Sequence, residues 1–112
     1  GLPVMVTENG IAEPGDTLRP GYLVSHLAQL HRAIAAGQPI LGYKHWTSTD
    51  NFEWTQGLRM RFGLIHVDFA TQERTIKPSG HIYGQIAGAN AIAPELLKQY
   101  GRWQRAVPIS VA

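Results

Sequence analysis

The chain has no cysteine among its 112 residues. That excludes disulfides, thiolate nucleophiles and cysteine-bound zinc, and it leaves the redox compartment open. No apolar run approaches the roughly 18 residues that a membrane-spanning helix needs. The chain begins with Gly1 rather than Met, so this residue is not expected to be a translation start, and a leader could have been lost upstream. A cytoplasmic location is the favoured expectation. Charge of neither sign dominates, since 10 Lys and Arg stand against 8 Asp and Glu. The basic residues come in loose pairs, such as Arg59 with Arg61 and Arg102 with Arg105, not in a dense run that tracks a phosphate backbone. Nucleic acid is therefore not an expected partner. The five histidines are dispersed, and His26 and His31 miss the i, i+4 spacing of one helical face. No His-Glu-x-x-His pattern or carboxylate triad accompanies them, so no metal site is expected.

What remains is ordinary globular material, 44% apolar by composition, enough for one small α/β domain. Leu2 to Thr7 is short, apolar and valine-rich, as a strand buried on both faces would be. Turn residues Pro14, Gly15, Asp16 and Pro20 follow. Leu23, Leu27, Leu30 and Ile34 then form one apolar stripe, which predicts a helix from Arg19 or Pro20 to Ala36. Asp16 is a plausible N-cap, and Gly37 a natural stop. A second strand is expected from Pro39 to Trp46, completing a strand–helix–strand unit.

Residues 47 to 61 form a long connection dense in aromatic and polar groups. Connections longer than about 12–15 residues are usually functional or disordered, and the aromatics favour function. Gly63 to Phe69 alternates as a half-exposed strand does. Lys77-Pro78-Ser79 opens a helix with Ile82, Tyr83 and Ile86 on its apolar side. Gly80, Gly84 and Gly88 recur in that helix, and each costs up to about 1 kcal/mol against alanine. Close backbone packing or a merely exposed surface would both explain them. A tail helix is expected from Pro94 to Gln104.

Two segments carry a resemblance. Pro3-Val4-Met5-Val6-Thr7-Glu8-Asn9-Gly10 is one. The other starts at Gly42-Tyr43-Lys44-His45-Trp46-Thr47-Ser48-Thr49-Asp50-Asn51-Phe52-Glu53-Trp54 and continues through Arg59-Met60-Arg61-Phe62-Gly63-Leu64 to Val67-Asp68-Phe69. Together, with Asp16-Thr17-Leu18-Arg19 and Tyr22-Leu23-Val24-Ser25-His26-Leu27 between them, they resemble glycoside hydrolase family 1. The likeness runs from Pro3 to about Ile86. It departs from the commoner Trp-Ser-Leu pattern at Thr47, which keeps a hydroxyl, and at Ser48, which replaces an apolar residue.

The resemblance implies a (β/α)₈ barrel of about 250 residues or more, with its site at the C-terminal ends of the strands. Glu8 and Trp46 each stand at the end of an expected strand, on that face. Retaining glycoside hydrolysis uses two carboxyl groups, about 5–5.5 Å apart. One attacks the anomeric carbon; the other protonates the leaving oxygen and later deprotonates water. By resemblance Glu8 is the nucleophile. The acid/base lies in a Thr-x-Asn-Glu-Pro type segment, which this chain does not contain. Glu13 precedes Pro14 but follows the nucleophile, and it is not assigned.

Trp46, Glu53, Trp54 and Phe62 match the family's sugar-binding positions. The flat indole of Trp46 suits the C–H face of a pyranose. The Glu53 carboxylate accepts from two neighbouring hydroxyls, the 4- and 6-positions. The Trp54 N–H donates to the 3-hydroxyl, and Phe62 walls the 6-hydroxymethyl. The bland alternative makes these aromatics core residues and pairs Glu53 with a nearby arginine. Family members acting on 6-phosphoglycosides tend to carry serine at the position of Glu53, and a carboxylate would repel a phosphate. An unphosphorylated β-glucoside, galactoside or fucoside is the expected substrate, and no cofactor or metal is implied.

The expected fold is thus the last two strand–helix units of the barrel. Residues 1–38 hold the nucleophile strand and linking helix, 39–90 the last strand, sugar loop and last helix, and 91–112 the tail. Such a piece would leave apolar faces and strand edges open. The expected partner is the rest of the barrel, as a companion chain or a missing segment. The competing expectation is a non-catalytic fragment or interaction module that retains sugar contacts.

Overall fold

The computed structural model describes residues 1–101. Strand β1 (Val4–Val6) leads through a loop to helix α1 (Arg19–Ala35) and strand β2 (Ile40–Tyr43). A 3-10 turn (Trp54–Gln56), strands β3 (Ile65–Val67) and β4 (Arg74–Ile76), and helices α2 (Pro78–Ala89) and α3 (Pro94–Tyr100) follow. β1 and β2 pair in parallel, with Val6 beside Tyr43 and one register shift between Val4 and Met5. The strand–helix–strand unit expected from the sequence is therefore present. Both strands are shorter than expected, so Glu8 and Trp46 lie just beyond the strand ends.

Helix α1 begins at Arg19 with Pro20 in its first turn, where a missing N–H costs nothing. It ends as the sequence suggested. Gly37 stands at φ +85°, and its N–H reaches the Ile34 carbonyl while Gln38 N–H reaches that of Ala33, a Schellman closure that glycine makes without strain. The buried face differs from the expected stripe. Leu23, Val24 and Ala28 are buried, whereas Ile34 is exposed. Ile34 belongs to the end of α1 that borders an open groove shared with β2, α2 and α3.

Asp16 does not cap α1. The helix starts three residues later, with Leu18 at the N-cap and no side-chain cap. The Asp16 carboxylate instead pairs with Arg19 and accepts from both the backbone N–H (2.8 Å) and hydroxyl (2.6 Å) of Ser79. Ser79 is in the first turn of α2, whose own N-cap, Lys77, has no acceptor to offer. Asp16 thus supplies the N-terminal acceptor for a distant helix. Glu13 does the corresponding work near α1, where its carboxylate takes the N–H groups of Thr17 and Leu18.

The three glycines of α2 divide. A Cβ on Gly80 would lie 2.7 Å from the Leu64 carbonyl oxygen, while Gly84 and Gly88 face open space. Close packing explains the first and not the others. Strand β3 occupies the centre of the alternating Gly63–Phe69 stretch, with Val67 buried and His66 exposed. It pairs antiparallel with β4, a strand the sequence reading did not foresee. The Asp68 carboxylate accepts from the N–H groups of Ala70 and Thr71 and turns the chain between them. Helix α3 covers the first part of the expected tail helix. Its expected continuation to Gln104 lies outside the described residues.

Candidate functional site

The long connection after β2 is zipped at its base. Thr47 N–H donates to the Phe62 carbonyl (3.2 Å), Leu64 N–H to Thr47 (3.0 Å), Ile65 N–H to Ser48 (2.9 Å) and Asp50 N–H to Ile65 (3.0 Å). Residues 51 to 60 form the tip. Asp50 locks the base from inside. Its side chain is fully buried and meets Lys77 Nζ (3.1 Å), Gly63 N–H (2.9 Å) and Arg61 Nη1 (3.3 Å), with His66 Nδ1 at 3.5 Å. Burial pushes the Asp50 carboxyl up. The Lys77 ammonium, the Gly63 N–H and Arg61 together outweigh it and hold the group below its ordinary value. The charge is retained because it is paired and hydrogen-bonded.

The loop after β1 is fastened against the same base. Arg19 is fully buried, and its Nη2 donates to the carbonyls of Glu13 (2.5 Å) and Arg61 (2.6 Å). Glu13 N–H donates to the Arg61 carbonyl as well (3.0 Å). Trp46 N–H donates to the Asn9 carbonyl (3.0 Å). Gly10 presses so closely on Trp46 that an added Cβ would stand 1.7 Å from the Trp46 carbonyl oxygen. The Trp46–Thr47 peptide bond is cis.

These contacts bring three of the five candidates into one neighbourhood. Glu8 precedes Asn9, which bonds Trp46; Trp46 precedes Thr47, which bonds Phe62. Glu8 is exposed, and Trp46 and Phe62 are half-buried. Glu53 and Trp54 sit at the loop tip, where Glu53 N–H bonds the Gly57 carbonyl (2.8 Å) and Gln56 N–H bonds that of Glu53 (2.8 Å). No hydrogen bond or ion pair among the described residues joins Glu53 to Glu8. Among those residues Glu53 pairs with no arginine either; Arg59 bonds Gln56 instead. Trp54 is 81% exposed at φ +44°, so it is not a core residue of this chain. Positive φ is uncommon for a bulky residue.

Sequence reasoning passed over the side chains that fasten Asn9, the residue after Glu8. The Asn9 side chain donates through Nδ2 to the Tyr22 hydroxyl (3.0 Å) and accepts at Oδ1 from the Tyr43 hydroxyl (2.9 Å). Tyr22 stands on α1 with its ring against His26 (4.0 Å between centroids), and His26 Nδ1 donates to the Tyr22 carbonyl (2.7 Å). His26 is thus engaged within α1. Burial, and then the neighbouring Tyr22 and Tyr83, push the Tyr43 hydroxyl well above its ordinary value, which keeps it a donor. His45 lies beside Tyr43, with Nδ1 3.3 Å from that hydroxyl. Burial, then the charge of Arg19, lowers its pKa to about 4, so the ring is neutral near pH 7. The readable signal was topological, because a parallel β1–β2 pair sets the end of β2 beside the residues after β1.

Among the described residues, no group of three or more His, Asp or Glu side chains is arranged to hold a metal. A groove of about 700 Å³ lies between α1, β2, α2 and α3, and Glu8 is not among the residues that line it. It is lined mainly by apolar side chains, Leu30, Ile34, Ile86 and Leu97 among them, and none of the five candidate residues borders it. The candidate site is the strand-end cluster and not this groove.

The family model for glycosyl hydrolase family 1 matches residues 1–92. The chain belongs to this family. It is 49% identical over 96 residues to a β-galactosidase of Sulfolobus acidocaldarius, covering 86% of this chain and 20% of that protein. It is 40% identical over 98 residues to β-glucosidase A of Thermotoga maritima, covering 80% of this chain and 22% of that one. The β-glycosidase of Thermosphaera aggregans superposes with a TM-score of 0.86 at 45% identity, over 89% of this chain and 21% of that chain. The chain therefore spans about a fifth of the length of these relatives. Family membership accounts for the parallel β1–β2 pair, since the family builds its barrel from parallel strands with helical crossovers.

Proposed function

We propose that the chain is the C-terminal part of a retaining β-glycosidase that hydrolyses terminal, unphosphorylated β-glycosides, with Glu8 as nucleophile. The observation that carries the reading is the convergence at the strand ends. The Glu8-Asn9-Gly10 segment is bonded to Trp46, and Trp46-Thr47 to Phe62. This sets the segment that carries a carboxylate beside segments that carry two aromatic residues, a residue type that suits a sugar ring.

In this reading Glu8 attacks the anomeric carbon and the aglycone oxygen leaves, forming a glycosyl ester on the carboxylate. Water then cleaves the ester, with retention of configuration. The carboxyl group that first protonates the leaving oxygen and then takes the proton from water comes from the part of the barrel outside this chain. The two strand–helix units are the last two of that barrel. Trp46 supports the ring, Phe62 walls the 6-hydroxymethyl, and Trp54 and Glu53 bind hydroxyls from the loop tip. Among the described residues Glu53 has no arginine partner, which in this reading leaves its oxygens available for hydroxyls and unfavourable to phosphate. The rest of the barrel is the proposed partner, and β-glucosides and β-galactosides are the first substrates to try.

The test is hydrolysis of an aryl β-glucoside by the intact enzyme that contains this chain. Glu8→Gln is expected to lower kcat on the order of a thousandfold or more. Glu8→Gly with added azide is expected to yield the α-glycosyl azide, because the small anion enters where the carboxylate stood. Normal turnover by Glu8→Gln, with deamidation excluded by mass, would contradict the reading.

A further inference from the structure

We propose that Asn9 is a positioning residue for the glycosylation step, holding Glu8 through Tyr22 on one side and Tyr43 on the other. The proposal rests on the assignment of Glu8 as nucleophile. Every polar end of Asn9 beyond its N–H is engaged. Nδ2 donates to Tyr22 (3.0 Å), Oδ1 accepts from Tyr43 (2.9 Å), and the backbone carbonyl accepts from Trp46 N–H (3.0 Å) with Tyr43 Oη at 3.2 Å. The two tyrosines belong to different elements, α1 and β2. Each is braced in turn, Tyr22 by the His26 ring at 4.0 Å and Tyr43 by Tyr83, 6.3 Å away between centroids.

The physical consequence concerns Glu8 itself. Glu8 is exposed and makes no hydrogen bond among the described residues, so nothing on its own side chain fixes its direction in this part of the fold. Its backbone is fixed at the next residue. An attacking oxygen must meet the anomeric carbon within a few tenths of an ångström of the productive line, and small misplacements cost rate more than binding. Asparagine suits the task because one planar amide offers a donor and an acceptor, and the two hydroxyls read both. Aspartate would lose the donor to Tyr22 and set a second negative charge beside the nucleophile.

The experiment uses the intact enzyme and a 2-deoxy-2-fluoro-β-glycoside with a dinitrophenyl leaving group. Such a compound glycosylates the nucleophile and releases one leaving group per competent site. The released amount counts sites, and the time course gives a first-order rate constant and an apparent dissociation constant per counted site. Tyr43→Phe removes one oxygen and is expected to slow glycosylation about tenfold, with the dissociation constant within about twofold. Tyr22→Phe is expected to behave similarly, and Asn9→Ala to lose about a hundredfold. A structural role alone would lower the number of competent sites and leave the rate per site unchanged. Unchanged rates per site in Tyr43→Phe and Tyr22→Phe would overturn the proposal, even if Asn9→Ala failed to fold. Glu8→Gly with azide, run in parallel, separates the two failures. Rescue with unaltered tyrosine variants refutes the positioning role alone, whereas no rescue refutes the nucleophile assignment beneath it.

Discussion

Glu53 and His45 illustrate what single residues decide here. Glu53 stands at the loop tip, without an arginine partner among the described residues. Replacing it with serine is expected to raise KM for aryl β-glucosides and β-galactosides at least about tenfold, since hydrogen bonds from a charged acceptor are worth about 1.5–3 kcal/mol. Unchanged kinetics would remove Glu53 from the sugar-binding set. His45 acts through pH. Its pKa in the fold is lowered from 6.5 to about 4, by burial first and then by Arg19. The unfolded chain therefore binds more protons between these values, so stability is full above about pH 6.5 and falls as pH drops toward 4. With allowance for the solvent that reaches this half-buried ring, the loss is about 1–2 kcal/mol. His45→Phe in the intact enzyme is expected to flatten the thermal midpoint across that window, relative to the parent. Motif spacing alone put forward Glu8, Trp46, Glu53, Trp54 and Phe62, and they stand as proposals; the fold brings the segments of Glu8, Trp46 and Phe62 together. Asn9, Tyr22 and Tyr43 were not read as a unit, because their contacts join segments that only the folded β1–α1–β2 unit brings together.

At the level of elements, local signals worked where local chemistry decides. Gly37 ended α1 and Pro78 opened α2 where propensity said they should. They failed where a distant group intervenes. Asp16 looks like the cap of the nearest helix, yet a buried arginine and an uncapped α2 claim it instead. Strand β4 has no alternating pattern of its own, and all three of its residues are exposed; only pairing with β3 defines it. The glycines of α2 give an element-scale test. Gly84→Ala meets open space and is expected to stabilise by about 0.5–1 kcal/mol. Gly80→Ala drives a methyl into the Leu64 carbonyl and is expected to destabilise by about 1–3 kcal/mol. Thermal or denaturant unfolding of the intact enzyme reads both, and equal effects would show that α2 packs otherwise. The base of the 47–61 connection offers another. Asp50→Ala strands Lys77 beside a buried cavity and is expected to cost about 3–5 kcal/mol. The Asp50 carboxyl is held below its usual 3.8. Its stabilising contribution is therefore present above about pH 4 and is lost as pH falls through the lower folded value.

On the scale of the whole molecule, the exposed surface is the informative feature. Leu2, Val4 and Met5 around β1, and Leu41 on β2, are all exposed, although parallel strands of this kind are normally covered on both faces. β1 and β2 form a two-stranded sheet with open edges. A pair this small does not bury enough apolar surface to stand alone. The chain by itself is expected to self-associate and to show no hydrolysis of aryl β-glycosides. Adding the remainder of the barrel as a separate polypeptide is expected to restore a single soluble species with activity. The α/β character and the parallel pair were legible in the sequence, while the missing cover could be inferred only from the family resemblance. The central claim is that Glu8 attacks sugar. The most direct measurement is mass mapping of peptides from the intact enzyme after trapping with a 2-deoxy-2-fluoro-β-glycoside. A sugar adduct on the peptide containing Thr7-Glu8-Asn9-Gly10, localised to Glu8, is the expected result. An adduct on any other carboxylate, with Glu8 unmodified in an inactivated enzyme, would contradict it.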